Sequence, residues 1–321
     1  MILDYLAPKK WKNAFKRLLV YTGVTCLLTA VCTNQSFAFS STPEKPQTAS
    51  VSFGVEYASG KYGTGSTLQS LYMPLIATWS PNERFDIGVE LPFIYQNSSN
   101  ATTGLYHNSL GSTTAKTAVV GTGGSGNGRN YKLQQNRGVS SQNVSSSVDY
   151  SSAVSGKPDS DVSGLGDIIL RAGYILFVEN NAMPQVRTSM FVKTPTASVS
   201  DGLGTGEVDF GVGFELSKWF GNLHLAGEVL YNYQGKVSGY GLNDYISYTC
   251  TVGYQITSNI RPMLMLKGAT APSTYSDDLL EARARVIWSL TDKISLDIYG
   301  SRGITGSTAD YGTGVSVIYS F

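Results

Sequence analysis

The sequence predicts an all-β protein, a twelve-stranded antiparallel barrel that crosses the bacterial outer membrane. Three observations predict it. Long segments alternate apolar and polar residues with period two, their connections alternate short and long, and a basic, apolar leader precedes them. Charged residues make up 15% of the 321-residue chain, below the ~25% of an ordinary soluble domain. The 35 glycines and 20 tyrosines suit many strands joined by polar loops.

The leader comes first. Lys9, Lys10, Lys12, Lys16 and Arg17 precede a mostly apolar run, 18–31, and Ser36-Phe37-Ala38 offers the small residues a signal peptidase reads. A spanning helix needs ~20 apolar residues, so this run is too short to remain as an anchor. Residues 1–38 therefore read as a secretory signal, 39–48 as a periplasmic N-terminal segment and 49–321 as the barrel. Cys26 and Cys32 follow Thr25 and Val31, where lipid attachment wants a small residue, so a lipoprotein is rejected. Beyond the leader only Cys250 remains, which excludes an internal disulfide.

The strands are read from alternation. In "RFDIGVELPFIY", residues 84–95, Phe85, Ile87, Val89, Leu91, Phe93 and Tyr95 share one face, and Arg84, Asp86 and Glu90 lie on the other. The same pattern predicts strands at 49–59, 68–79, 84–96, 167–177, 185–194, 207–218, 223–233, 244–256, 260–269, 279–290, 293–302 and 310–321. Each approximates the ~9–11 residues of a tilted membrane strand rather than the ~5–6 of an ordinary one. The last, "GTGVSVIYSF", puts Val315, Val317, Tyr319 and Phe321 on one face and ends the sequence on an aromatic. An aromatic there fits the girdle at a membrane boundary.

Connections at 80–83, 178–184, 219–222, 257–259 and 291–292 are short, and the alternate ones are mostly longer. That asymmetry places the short turns in the periplasm and the longer loops outside. In hydrocarbon every backbone polar group must be paired within the protein, so the sheet must close. The Ser-, Gly-, Asn- and Thr-rich stretch 97–166 is expected to be a long extracellular loop, either disordered or folded inward as part of a plug. Pro74, Pro92 and Pro262 fall inside strands, where bulges are expected. Lys218 falls on the lipid face beside a turn, from which it can snorkel to headgroups.

Motifs for chemistry are weak. "GLGTGE" (202–207) and "GTGGSGNG" (121–128) lack the Gly-Lys-Ser/Thr ending of a phosphate loop and open no helix. His224 is expected to face inward opposite Glu215, but no serine constellation accompanies it, and an enzyme is not expected. Two histidines in the chain leave little for a His-based metal site, and no cofactor is expected. After the leader, nineteen basic residues face twenty-two acidic ones, which gives no footprint for nucleic acid.

The inward charges are the informative set. Arg84, Arg171, Arg187, Lys193, Arg261, Lys267, Arg283, Arg285 and Lys293 balance Glu56, Asp86, Glu90, Glu207, Asp209, Glu215, Glu228, Glu281 and Asp297. With His224 these are the expected pore-lining residues. A strongly ion-selective pore would carry one sign in excess, whereas a balanced set can cross-pair in a narrow lumen.

At "SGLGDIILRAGYIL" (163–176), at "GLGTGEVDFGVGFELSKWFGNLHLAGEVLYNYQG" (202–235) and at "ELPFIY" in the third strand, the chain resembles a family of outer-membrane barrels associated with the meta-pathway of phenol degradation. The resemblance implies a transporter-like channel for aromatic or other hydrophobic compounds. It carries no site residue over to this chain. A terminal Phe is also similar to the signal read by the barrel-assembly machinery. The expected function is therefore passive passage of small molecules into the periplasm, with outer-membrane lipid, the assembly machinery and a small solute as partners. The alternative is a plugged barrel with a structural or surface-interaction role.

Overall fold

Alternation of β-branched and aromatic residues with small or charged ones produces strands with one apolar and one polar face. The computed structural model describes residues 49–62, 67–97, 161–238, 241–274 and 276–321, with the pairs 107–108 and 144–145. The expected signal, the N-terminal segment and most of 97–166 lie outside the described residues. The strands are β1 (Ala49–Gly60), β2 (Leu68–Trp79), β3 (Phe85–Gln96), β4 (His107–Asn108), β5 (Val144–Ser145), β6 (Val162–Leu165), β7 (Ile168–Phe177), β8 (Gln185–Thr194), β9 (Asp209–Phe220), β10 (Leu223–Tyr233), β11 (Tyr245–Tyr254), β12 (Ile260–Ala269), β13 (Leu279–Ser289), β14 (Ile294–Gly303) and β15 (Tyr311–Ser320).

β4 and β5 pair only with each other. The rest form one antiparallel sheet in which each strand joins its sequence neighbour, and β1 joins both β2 and β15. β6 and β7 lie end to end along β3, so the closed wall has twelve staves. Closure reaches the final residue, whose N–H donates to the Ala49 carbonyl at 3.0 Å. The Phe321 ring meets Tyr319 edge-on at 5.0 Å.

The wall is inside-out relative to a soluble protein. Leu264 is 68% exposed and Phe214 60%, while Glu90 and Asp297 are 0% exposed. The large apolar side chains face outward, where hydrocarbon covers them, and the ionic ones face the lumen. Trp79, Trp288, Tyr254 and Tyr319 sit at the short-turn end, as an interfacial girdle requires.

Of the bulges expected at the three prolines, a one-residue shift occurs beside Pro92, and the register runs unshifted past Pro74 and Pro262. Pro74 and Pro92 are direct cross-strand partners. Neither has an N–H to give. The β1–β2 ladder lacks pairs between Phe53↔Leu75 and Glu56↔Tyr72, opposite Pro74, with no change of register. The β3 partner changes from β6 to β7 beside Pro92, where Gly166 donates to the Pro92 carbonyl at 2.9 Å. Near Pro262 the β11–β12 register ends at Gly253↔Met263. A register shift also lies between Ile175 and Phe177, away from the prolines.

Candidate functional site

The lumen face is built from every second residue of each strand. Of the predicted set, Arg84, Glu207 and Lys293 are exposed at strand approaches. They precede β3, β9 and β14, where the alternation has not yet been locked to the wall. Glu56, Asp86, Glu90, Arg171, Arg187, Lys193, Asp209, Glu215, His224, Glu228, Arg261, Lys267, Glu281, Arg283, Arg285 and Asp297 project inward.

These inward groups form a belt. Arg171 pairs with Glu90, which also accepts the Tyr72 hydroxyl. Tyr72 faces Glu56 across the β1–β2 register, and Glu56 accepts the Tyr299 hydroxyl at 2.7 Å. The Arg283 guanidinium lies 3.7 Å over the Tyr299 ring and pairs with Glu281 at 3.0 Å. Lys267 is the register partner of Glu281. Around the other side Arg187 reaches Asp86 at 2.8 Å, and Lys193 spans Asp209 at 2.5 Å and Asp167 at 3.4 Å. Arg285 pairs with Asp297, both fully shielded. Removing one partner from such pairs leaves a buried charge, so each constrains the next.

Glycines make room for these contacts. A Cβ on Gly173 would sit 1.8 Å from an Arg187 guanidinium nitrogen. The belt therefore fixes backbone as well as side chains.

Apolar clusters interleave with the belt. Toward the long-loop end lie Tyr72 with Ile94, Ala197 and Leu203, then Ile169 with Phe191 and Leu230, and Tyr245 with Ala269 and Leu279. Ala197 and Leu203 come from the β8–β9 connection, which folds onto the inner wall. Asp167 holds it there by accepting the Thr196 and Ala197 N–H groups at 3.0 and 2.9 Å. Positive φ at Gly202 (73°) and Gly206 (77°) gives the turns. The "GLGTGE" stretch thus belongs to a lumen-facing loop. Toward the short-turn end, Ala226, Met263 and Ile287 cluster near Trp219, which packs against His224 at 4.6 Å and Arg261 at 5.6 Å.

His224 does not face Glu215. It pairs with Trp219, and Glu215 pairs with Glu228. The expected four-residue turn is a two-residue one, with β9 running on to Phe220 and Gly221 at φ 62°, as the first position of a type II′ hairpin favours. Lys218 is buried, and its ammonium donates to the carbonyls of Asn181 and Met183, each at 3.2 Å, in place of headgroups. Sequence reasoning missed Tyr72, Tyr299 and Asp167. Tyr72 lies in a strand apolar on both faces, so alternation left its side undetermined.

A model of the family described as "Putative MetA-pathway of phenol degradation" matches residues 113–321. Among solved structures, an outer membrane channel from Pseudomonas putida F1 is similar at TM-score 0.56 and 14% identity, over 89% of this chain and 99% of that one. The CymD monoaromatic hydrocarbon channel gives a TM-score of 0.45 at 12% identity, over 86% and 89% of the two chains. No curated protein matches.

Proposed function

Because this outer-membrane barrel belongs to the phenol-degradation MetA-pathway family, we propose that it is a channel for passive passage of small aromatic or hydrophobic molecules into the periplasm. The observation that carries the reading is the apolar surface exposed to the lumen among the paired charges. Apolar clusters near the long-loop end, including the inward β8–β9 loop, adjoin cross-paired charges. Apolar surface there favours solutes that shed water readily. With Asp167 the inward set holds seven basic and nine acidic side chains, a near balance that disfavours a strongly selective ion path.

The test is reconstitution of the mature protein in planar bilayers and in liposomes loaded with a phenol-oxidising reporter. The channel reading expects low ionic conductance with phenol entry above that of empty liposomes. Phenol entry equal to protein-free liposomes, with no conductance, would instead favour the structural role.

A further inference from the structure

Among the described residues, the outer wall departs from its coat of large apolar side chains on β13 and β14. The outward positions of β13 and β14 include Ala282, Ala284 and Gly300, which line a concavity of ≈ 890 Å³ running from Leu225 of β10 to Gly312 of β15. Leu264 and Leu266 of β12 form one bank. Gly300 alternates with exposed Ile298 and Arg302 on the outward face, and a Cβ built on it meets nothing within 4 Å, so the space there is unfilled by protein.

At its long-loop end stands Arg302. Among the described strand residues, Arg302 and Lys218 are the charged side chains on the outward face. Lys218 is engaged by turn carbonyls. Arg302 makes no ion pair among the described residues. It is exposed beside its register partner Tyr311, which is exposed as well. A lipid-facing cation is costly at the bilayer centre and cheap at the interface, where it reaches phosphate.

The geometry points to a binding site for the phosphorylated glycolipid of the outer leaflet, lipid A, with a phosphate on Arg302 and an acyl chain in the trough over Ala282, Ala284 and Gly300. Charge complementarity favours this occupant over a second copy of the chain. A two-fold contact through the trough about the membrane normal would bring two Arg302 side chains together at the same height. The long-loop end faces the outer leaflet, which distinguishes lipid A from inner-leaflet phospholipid.

Cys250 lines the far side of the trough and reports occupancy. The mature protein in detergent is titrated with hexa-acylated lipid A, and alkylation of Cys250 by N-ethylmaleimide is followed, with heat-modifiable migration confirming the fold. Lipid A is expected to slow alkylation. Arg302→Gln should raise the half-protecting concentration about fivefold, Arg302→Lys should largely restore it, and Gly300→Phe, which puts a ring where the acyl chain would lie, should weaken protection. Equal protection by phosphatidylglycerol, no response to Arg302→Gln, or Cys250-linked dimers in native membranes would each overturn the assignment.

Discussion

The phenol of Tyr299, in β14, donates to the carboxylate of Glu56, in β1, at 2.7 Å, across the intervening strand β15. Gly314 of β15 is the register partner of both. A Cβ there would lie 2.3 Å from the Tyr299 ring. This bond crosses the seam where the barrel closes, and the absence of a side chain at Gly314 permits it. Gly314→Ala is expected to destabilise by about 1–3 kcal/mol through overpacking. Tyr299→Phe should cost about 2 kcal/mol through loss of a bond to a charged acceptor. The two losses should be less than additive, because both remove the same contact. Urea unfolding in lipid vesicles measures all three.

The Arg187–Asp86 pair is buried on both sides. Asp86→Ala removes one carboxylate from an enclosed guanidinium and is expected to cost about 3–5 kcal/mol. The double variant Asp86→Ala/Arg187→Met should recover most of that loss in the same unfolding measurement. A recovery of nothing would place the cost in packing rather than in charge.

Asp167 is the tie of the inward loop. Asp167→Ala releases two backbone N–H groups and the Lys193 contact together. Single-channel recordings should show higher conductance and more current noise in this variant. Asp167→Asn keeps an acceptor for the N–H groups and should lie between it and the wild type.

Glu179 lies in the β7–β8 turn, outside the spanning strands, and accepts the Trp219 N–H at 3.0 Å. Burial pushes its carboxyl from 4.5 up to about 7, against the opposing pull of the Trp219 N–H and the Lys218 charge. The folded state therefore holds this proton more tightly than the unfolded chain. Its contribution is fully present below pH 4.5 and declines as pH rises through 7. Wild-type stability should fall by roughly 1 kcal/mol per pH unit across that window relative to Glu179→Gln. Unfolding curves for both proteins at a series of pH values give the difference directly.

The alternation in 84–95 determined which side chains of β3 face hydrocarbon and which face the lumen, because a strand has only two faces. Alternating connection lengths determined the antiparallel order, and the need to pair every backbone group in lipid determined closure. Asp86, Glu90 and Arg187 were therefore legible as inward residues, while which of them would pair was not. That Tyr299 meets Glu56 depends on the stagger with which β15 seats between β14 and β1. That His224 meets Trp219 depends on a hairpin two residues tighter than the hydrophobic pattern required. Asp167 reaches the β8–β9 loop only because the fourth stave breaks beside Pro92, and the trough under Arg302 exists only because small residues of two adjacent strands fall at one height. Periodicity is a local property that fixes the face a residue occupies. Register, shear and closure are properties of the whole sheet, and they alone decided which residues on that face touch.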